Sequence, residues 1–114
     1  MANIYKNAKL DLTTSTVTTL YTVQSNSRAI VKSILVCDDT NNGSNITVDL
    51  FNGDPASADK FTIFKNKSIA GNATEQLLNE PLIMQESEVL QVTAADANRL
   101  HVVASILEIN REDR

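Results

Sequence analysis

Apolar and polar residues alternate along most of the chain in short segments, and clusters of small polar residues separate one segment from the next. The longest alternating segments are residues 28–38 and 98–109. The turn signals between segments include Asn42-Gly43, a pair that tolerates the positive φ of a tight hairpin. No window of useful length has the period of an amphipathic helix. The pattern predicts an all-β fold: a single antiparallel β-sandwich, of jelly-roll or immunoglobulin-like type, with about seven to nine short strands and little or no helix.

The length of 114 residues suits one domain with a modest core. A hydrophobic share of 42% excludes a wholly disordered chain. We therefore expect one β-sandwich domain over residues 1–114, in which the charged segment 110–114 is a frayed tail.

The two longest segments are apolar on both faces, although a strand on the outside of a lone sandwich should have one polar face. In segment 98–109, one face has Leu100, Val102, Ala104 and Ile106, and the other has His101, Val103, Ser105, Leu107 and Ile109. In segment 28–38, one face has Ala29, Val31, Leu35 and Cys37, and the other has Ile30, Ile34 and Val36, interrupted only by Lys32. One interpretation is that a neighbouring subunit covers the second face, and the interface candidates are then His101, Val103, Leu107, Ile109, Ile30 and Ile34. The alternative is that loops and the second sheet of the same chain cover it.

Charge and composition narrow the choice of partners. The net charge is −4 and the ten basic residues are scattered, which argues against a nucleic-acid partner. Aromatic residues make up 4% of the chain and Trp is absent, so a surface that stacks on bases or sugars has little to be built from. Because the sequence has no signal peptide, no long apolar run and a single cysteine, we expect no membrane partner and synthesis in a reducing cytoplasm.

The residues suggest no catalytic site and no cofactor. The chain has one histidine, His101, and one cysteine, Cys37, and a nucleophilic pair would require their strands to be neighbours. We expect a structural or interface role for His101 and burial for Cys37.

One segment partly matches a calcium-binding loop. In "DDTNNGSNITVD", Asp38, Asn42 and Asp49 occupy the first, fifth and twelfth positions. The third position is Thr40, and the twelfth lacks the glutamate that binds calcium through both oxygens. We therefore predict a polar hairpin and no metal site, and a small carbohydrate- or calcium-binding module remains the alternative function.

Three stretches together carry a family resemblance: "TTLYTVQSNSRAIVKSILVCDDTNNGSNITVDLF", "EPLIMQESEVLQVTA" and "NRLHVVASILEI". Read in order, they resemble small β-sandwich virion structural proteins of tailed bacteriophages, such as head-decoration, neck, tail or fibre components. The segment "QESE" departs from the Gly-Asp turn expected there, which affects one turn only. The resemblance implies a non-enzymatic structural protein, made in the host cytoplasm, that forms homo-oligomers bound to other proteins of the virion.

Overall fold

The computed structural model describes residues 2–110, which form nine strands. The strands are β1 (Ala2–Leu12), β2 (Thr18–Thr22), β3 (Ser27–Asp38), β4 (Ser44–Phe51), β5 (Lys60–Ile69), β6 (Thr74–Gln76), β7 (Leu82–Met84), β8 (Val89–Ala94) and β9 (Leu100–Asn110). Strands account for 63% of the structure, and residues 2–110 contain no helix, hence none that could cross a membrane. The all-β prediction is confirmed.

The strands form two antiparallel sheets. The first sheet has the order β1-β9-β3-β6, with β7 also paired to β3, and the second has the order β2-β8-β4-β5. If β6 and β7 are taken as two halves of one strand, the pairs β1·β9, β2·β8, β3·β6/β7 and β4·β5 are those of one long hairpin rolled up on itself. This is the jelly-roll arrangement, so the strand order decides between the two sandwich types that the sequence left open.

The core lies between the two sheets and is built by alternate residues of the central strands. Val31 and Val102 from the first sheet, and Ile46 and Leu90 from the second, are completely buried. Complete burial of an aliphatic side chain contributes about 1.5–3 kcal/mol, so the inner faces of β3, β4, β8 and β9 supply most of the stabilisation.

The last strand follows the predicted alternation. Leu100, Val102, Ala104 and Ile106 face the core, and His101 and Val103 lie half-buried on the opposite face. Asn110, expected to begin a frayed tail, pairs with residues of β1 and β3; the rest of the predicted tail, residues 111–114, lies outside the described residues.

The prediction for the faces of β3 is wrong beyond its midpoint. The register with β9 shifts between Val31 and Ser33, so Lys32 is an extra residue at a β-bulge. The extra residue exchanges the two faces of the strand. Ile34, predicted at an interface, is completely buried in the core, and Leu35, predicted on the other face, points outward and is 38% exposed.

Candidate functional site

The outward-facing side of the first sheet, here called the outer face, carries a row of apolar side chains across four strands. The registers place Tyr5 of β1, Leu107 of β9, Ile30 of β3 and Ile83 of β7 directly beside one another. Tyr5 is 75% exposed and Ile83 63% exposed, whereas Leu107 and Ile30 are half-buried between them. We call these four residues the apolar row.

A second, shorter band runs parallel to the apolar row. It contains Val103 and Leu35, which are paired across β9 and β3, and Lys9 lies beside Val103 on β1. Small polar residues, among them Ser105 and Ser33, separate this band from the apolar row. The gap forms a shallow depression of about 290 Å³, lined by Tyr5, Lys6, Asn7, Lys32, Ser105 and Ile106. The outer face therefore offers apolar ridges around a small depression, which suits packing against another protein surface better than enclosing a small ligand.

Most of the interface candidates share this face. His101, Val103, Leu107, Ile109 and Ile30 all lie on it, and Ile34 alone does not. The sequence interpretation missed Tyr5 and Ile83, the two most exposed members of the apolar row. They lie on edge strands, and only the pairing of β1 with β9 and of β7 with β3 aligns them with the central residues.

At one end of the outer face, His101 lies among acidic side chains. Its Nε2 is 3.2 Å from Asp11 Oδ1 and its Nδ1 is 3.8 Å from Asp39 Oδ2, and Cys37 is its direct partner on β3. The His101 side chain is 45% exposed and that of Asp11 65%, so water screens the attraction between them, and its contribution is at most about 1 kcal/mol. Among residues 2–110, no three His, Cys, Asp or Glu side chains converge as a metal site requires.

The segment that partly matches a calcium loop does not bring its three residues together. Asp38 Oδ1 accepts hydrogen bonds from the hydroxyl and the backbone N–H of Thr40, at 2.7 and 2.6 Å, and these bonds lower the pKa of the Asp38 carboxyl. Asp49 lies on β4, roughly 16 Å along the strand from Ser44 at about 3.3 Å per residue, and accepts a hydrogen bond from Thr62 at 2.7 Å. Asn42 lies in the exposed turn between β3 and β4.

A buried polar network joins the first, second and last strands. Glu108 is 2% exposed, and its Oε2 accepts a 2.6 Å hydrogen bond from the Tyr21 hydroxyl. Its Oε1 lies 3.3 Å from Lys6 Nζ, which is also 5.8 Å from the centre of the Tyr21 ring. Burial, together with the hydrogen bond and the charge of Glu108, raises the pKa of the Tyr21 phenol well above its ordinary value. Because both carboxylate oxygens have partners, Glu108 is accommodated on the buried side of β9.

No protein-family model matches the chain, and no curated protein matches its sequence. Several solved structures share its fold. A capsid structure of Helicobacter pylori bacteriophage KHP30 has a TM-score of 0.53 and 11% identity, over 97% of this chain and 95% of that one. A structure of Bacillus endospore appendages, described as disulfide-linked pili, has a TM-score of 0.55 and 11% identity, over 96% and 89%.

The Gx strain of infectious bursal disease virus gives a TM-score of 0.53 at 9% identity, over 97% of this chain and 30% of that one. This chain therefore spans about a third of the bursal disease virus chain and most of the length of the other two. At such low identities, these similarities establish the fold alone.

Proposed function

We propose that the chain is a non-enzymatic structural subunit of a phage virion, which assembles with further copies of itself and with other virion proteins through the outer face. The observation that carries this proposal is the apolar row. Tyr5 and Ile83 leave most of their surface in water, and they continue a line of apolar side chains through Leu107 and Ile30. A contiguous apolar surface of this kind on a small domain is typical of a protein–protein contact.

The fold supports the same proposal. The similarity to the KHP30 capsid structure extends over nearly the whole of both chains, and the resemblance of the sequence to tailed-phage virion proteins also favours a phage particle. We place the subunit on the capsid as a decoration protein, or in a neck, tail or fibre assembly. Its action is mechanical: apolar and main-chain contacts hold subunits in the particle.

The test is the protein composition of purified particles of the phage that carries the gene. Quantitative mass spectrometry should detect the chain in many copies per particle. In a phage that encodes Ile83→Asp, the variant chain should be absent from the particle, because a charge in the apolar row opposes burial of that row against another protein. Ile83 is 63% exposed, so the variant subunit itself should remain folded.

Thr93→Asp is the matched control, since it places the same charge on the outward side of the second sheet. It should be incorporated normally. The proposal would be contradicted if particles lack the wild-type chain, or if they incorporate the Ile83→Asp chain as efficiently as the wild-type chain.

A further inference from the structure

The sandwich has four sheet edges, and within residues 2–110 three of them are protected against pairing with another chain. One edge is formed by β6 and β7, which have three residues each and are separated by a segment that contains Pro81. Another is β2, which has five residues and an irregular register. The third is β5, which carries three lysines and two register shifts. Short strands, irregularities, prolines and lysines are the usual means of blocking edge-to-edge association.

The fourth edge, β1, has none of the structural irregularities. It pairs with β9 through eleven consecutive residues without a register shift, contains no proline or glycine, and pairs with no other strand among residues 2–110. One of its two lysines, Lys6, is turned toward the interior, where its ammonium group contacts Glu108. Ile4, also on the inner side, remains 41% exposed because nothing beyond the edge covers it. The result is a long, regular and open row of backbone hydrogen-bonding groups.

We infer that the free edge of β1 pairs with β1 of a second copy of this chain, antiparallel and about a two-fold axis at Asn7. This inference rests on the proposed structural role and names one of its contacts. Asn7 is the midpoint of Ala2–Leu12, so this register overlaps all eleven residues of both strands. A two-fold axis is the commonest symmetry of homo-oligomers and makes the contact self-complementary.

The side chains of β1 match in this register. Tyr5 lies opposite Lys9 of the second copy, where the ammonium group reaches the ring, and Ile4 lies opposite Leu10. Asp11 lies opposite Asn3, so no two like charges face each other. An axis at Lys6 or Lys9 would place two lysines directly opposite one another, which is destabilising.

The pairing also extends the outer face. Tyr5 ends the apolar row at the edge, and beyond it would come Lys9 and then Val103 of the second copy. The two first sheets would form one continuous sheet whose outer face is twice as wide.

Disulfide trapping tests this register. In a Cys37→Ser background, Asn7→Cys should form a covalent dimer of twice the 12.5 kDa chain mass under mild oxidation. The two introduced cysteines lie directly opposite, within the Cα separation of about 4.4–6.8 Å that a disulfide requires. Asn3→Cys is the matched control: the same substitution on the same side of the strand, but roughly 26 Å from its copy at about 3.3 Å per residue.

We expect at least about tenfold more dimer from Asn7→Cys than from Asn3→Cys, because only the first pair satisfies disulfide geometry. Absence of dimer from Asn7→Cys, or equal dimer from both, would overturn the pairing. Either result would leave the structural role standing, because that role is tested separately by particle composition and by charge substitutions on the outer face.

Discussion

Two adjacent valines lie on opposite faces of β9, so substitutions at them test the roles of the two faces separately. Val102 is completely buried and lies between Leu10 and Val36 on the inner side of the first sheet. Val103 is half-buried on the outer face between Lys9 and Leu35. We predict that Val102→Asp prevents folding, whereas Val103→Asp leaves a folded subunit that no longer assembles through the outer face.

The magnitude for Val102→Asp follows from its burial. The substitution forfeits about 1.5–3 kcal/mol of valine burial and introduces a carboxylate whose effective desolvation cost is several kcal/mol when it has no partner. Together these terms reach about 5 kcal/mol or more, comparable with the whole stability of a small domain, about 5–15 kcal/mol. Unfolding or near-unfolding is therefore expected.

Val103→Asp acts differently because its neighbours and its exposure differ. In the isolated subunit the new carboxylate remains in water and lies beside Lys9, where an opposite-charge pair contributes about 0.2–1 kcal/mol. This offsets part of the lost apolar contact with Leu35, and the free energy of unfolding should change by about 1 kcal/mol or less. In an assembly, the same charge would be buried at the contact.

Far-UV circular dichroism, urea unfolding and light scattering measure the three quantities that matter: fold, stability and mass. The expected result is an unfolded spectrum for Val102→Asp, and for Val103→Asp a β spectrum with a mass no larger than that of the dimer paired through β1, beside a larger wild-type mass. If both variants are unfolded, with no folded species of reduced mass, the outer face belongs to the core of a single subunit and the reasoning is refuted.

Three further predictions concern polar groups. Tyr21→Phe leaves Glu108 Oε2 without its donor and should lower the free energy of unfolding by about 2 kcal/mol; an unchanged urea midpoint would contradict the role of the network. The Thr40 hydrogen bonds hold the pKa of the Asp38 carboxyl below its ordinary value of 3.8. They therefore stabilise the fold above that pH, and this stabilisation is lost as the pH falls through the lower pKa that Asp38 has in the folded state. We therefore expect the free energy of unfolding of Thr40→Val to fall less steeply with decreasing pH than that of the wild type. An unchanged dependence of stability on acid pH would contradict this role of the Thr40 hydrogen bonds. Because Asp38 and Asp49 already accept hydrogen bonds from hydroxyl groups, adding calcium or a chelator should leave the melting temperature unchanged. A calcium-dependent rise of several degrees that Asp38→Ala abolishes would instead support a calcium-binding module.

The strands themselves, and the faces of β9, could be predicted because a two-residue period is a local property. The inner side of β9 is uniformly apolar from Leu100 to Ile106, and its pairing with β1 is regular along its length, so the alternation in the sequence translates directly into two faces. The jelly-roll topology could not be predicted from this local period, because it depends on which distant strands pair.

The faces of β3 could not be assigned by alternation alone because of the bulge. Lys32 and Ser33 are consecutive polar residues inside an apolar segment, and strict alternation must place one of them on the inner side. The bulge turns both away from the core and allows Val31 and Ile34 to point inward. Two adjacent polar residues in an otherwise apolar strand were the available sign of the bulge, and they explain why Ile34 was assigned to the wrong face.

The network of Glu108 could not be predicted from any local pattern, since it joins residues 87 and 102 positions apart in the sequence. Its energetics nevertheless constrain the fold. If β1 slipped by two residues along β9, the partly exposed Lys6 would move away from Glu108 and leave a buried carboxylate with one partner fewer, which costs about 1–3 kcal/mol. The cost favours the observed register of β1, in which Asn7 lies beside Ser105 of β9. Glu108 therefore helps to set the position of Asn7 relative to β9, at the edge where we expect a second copy to pair.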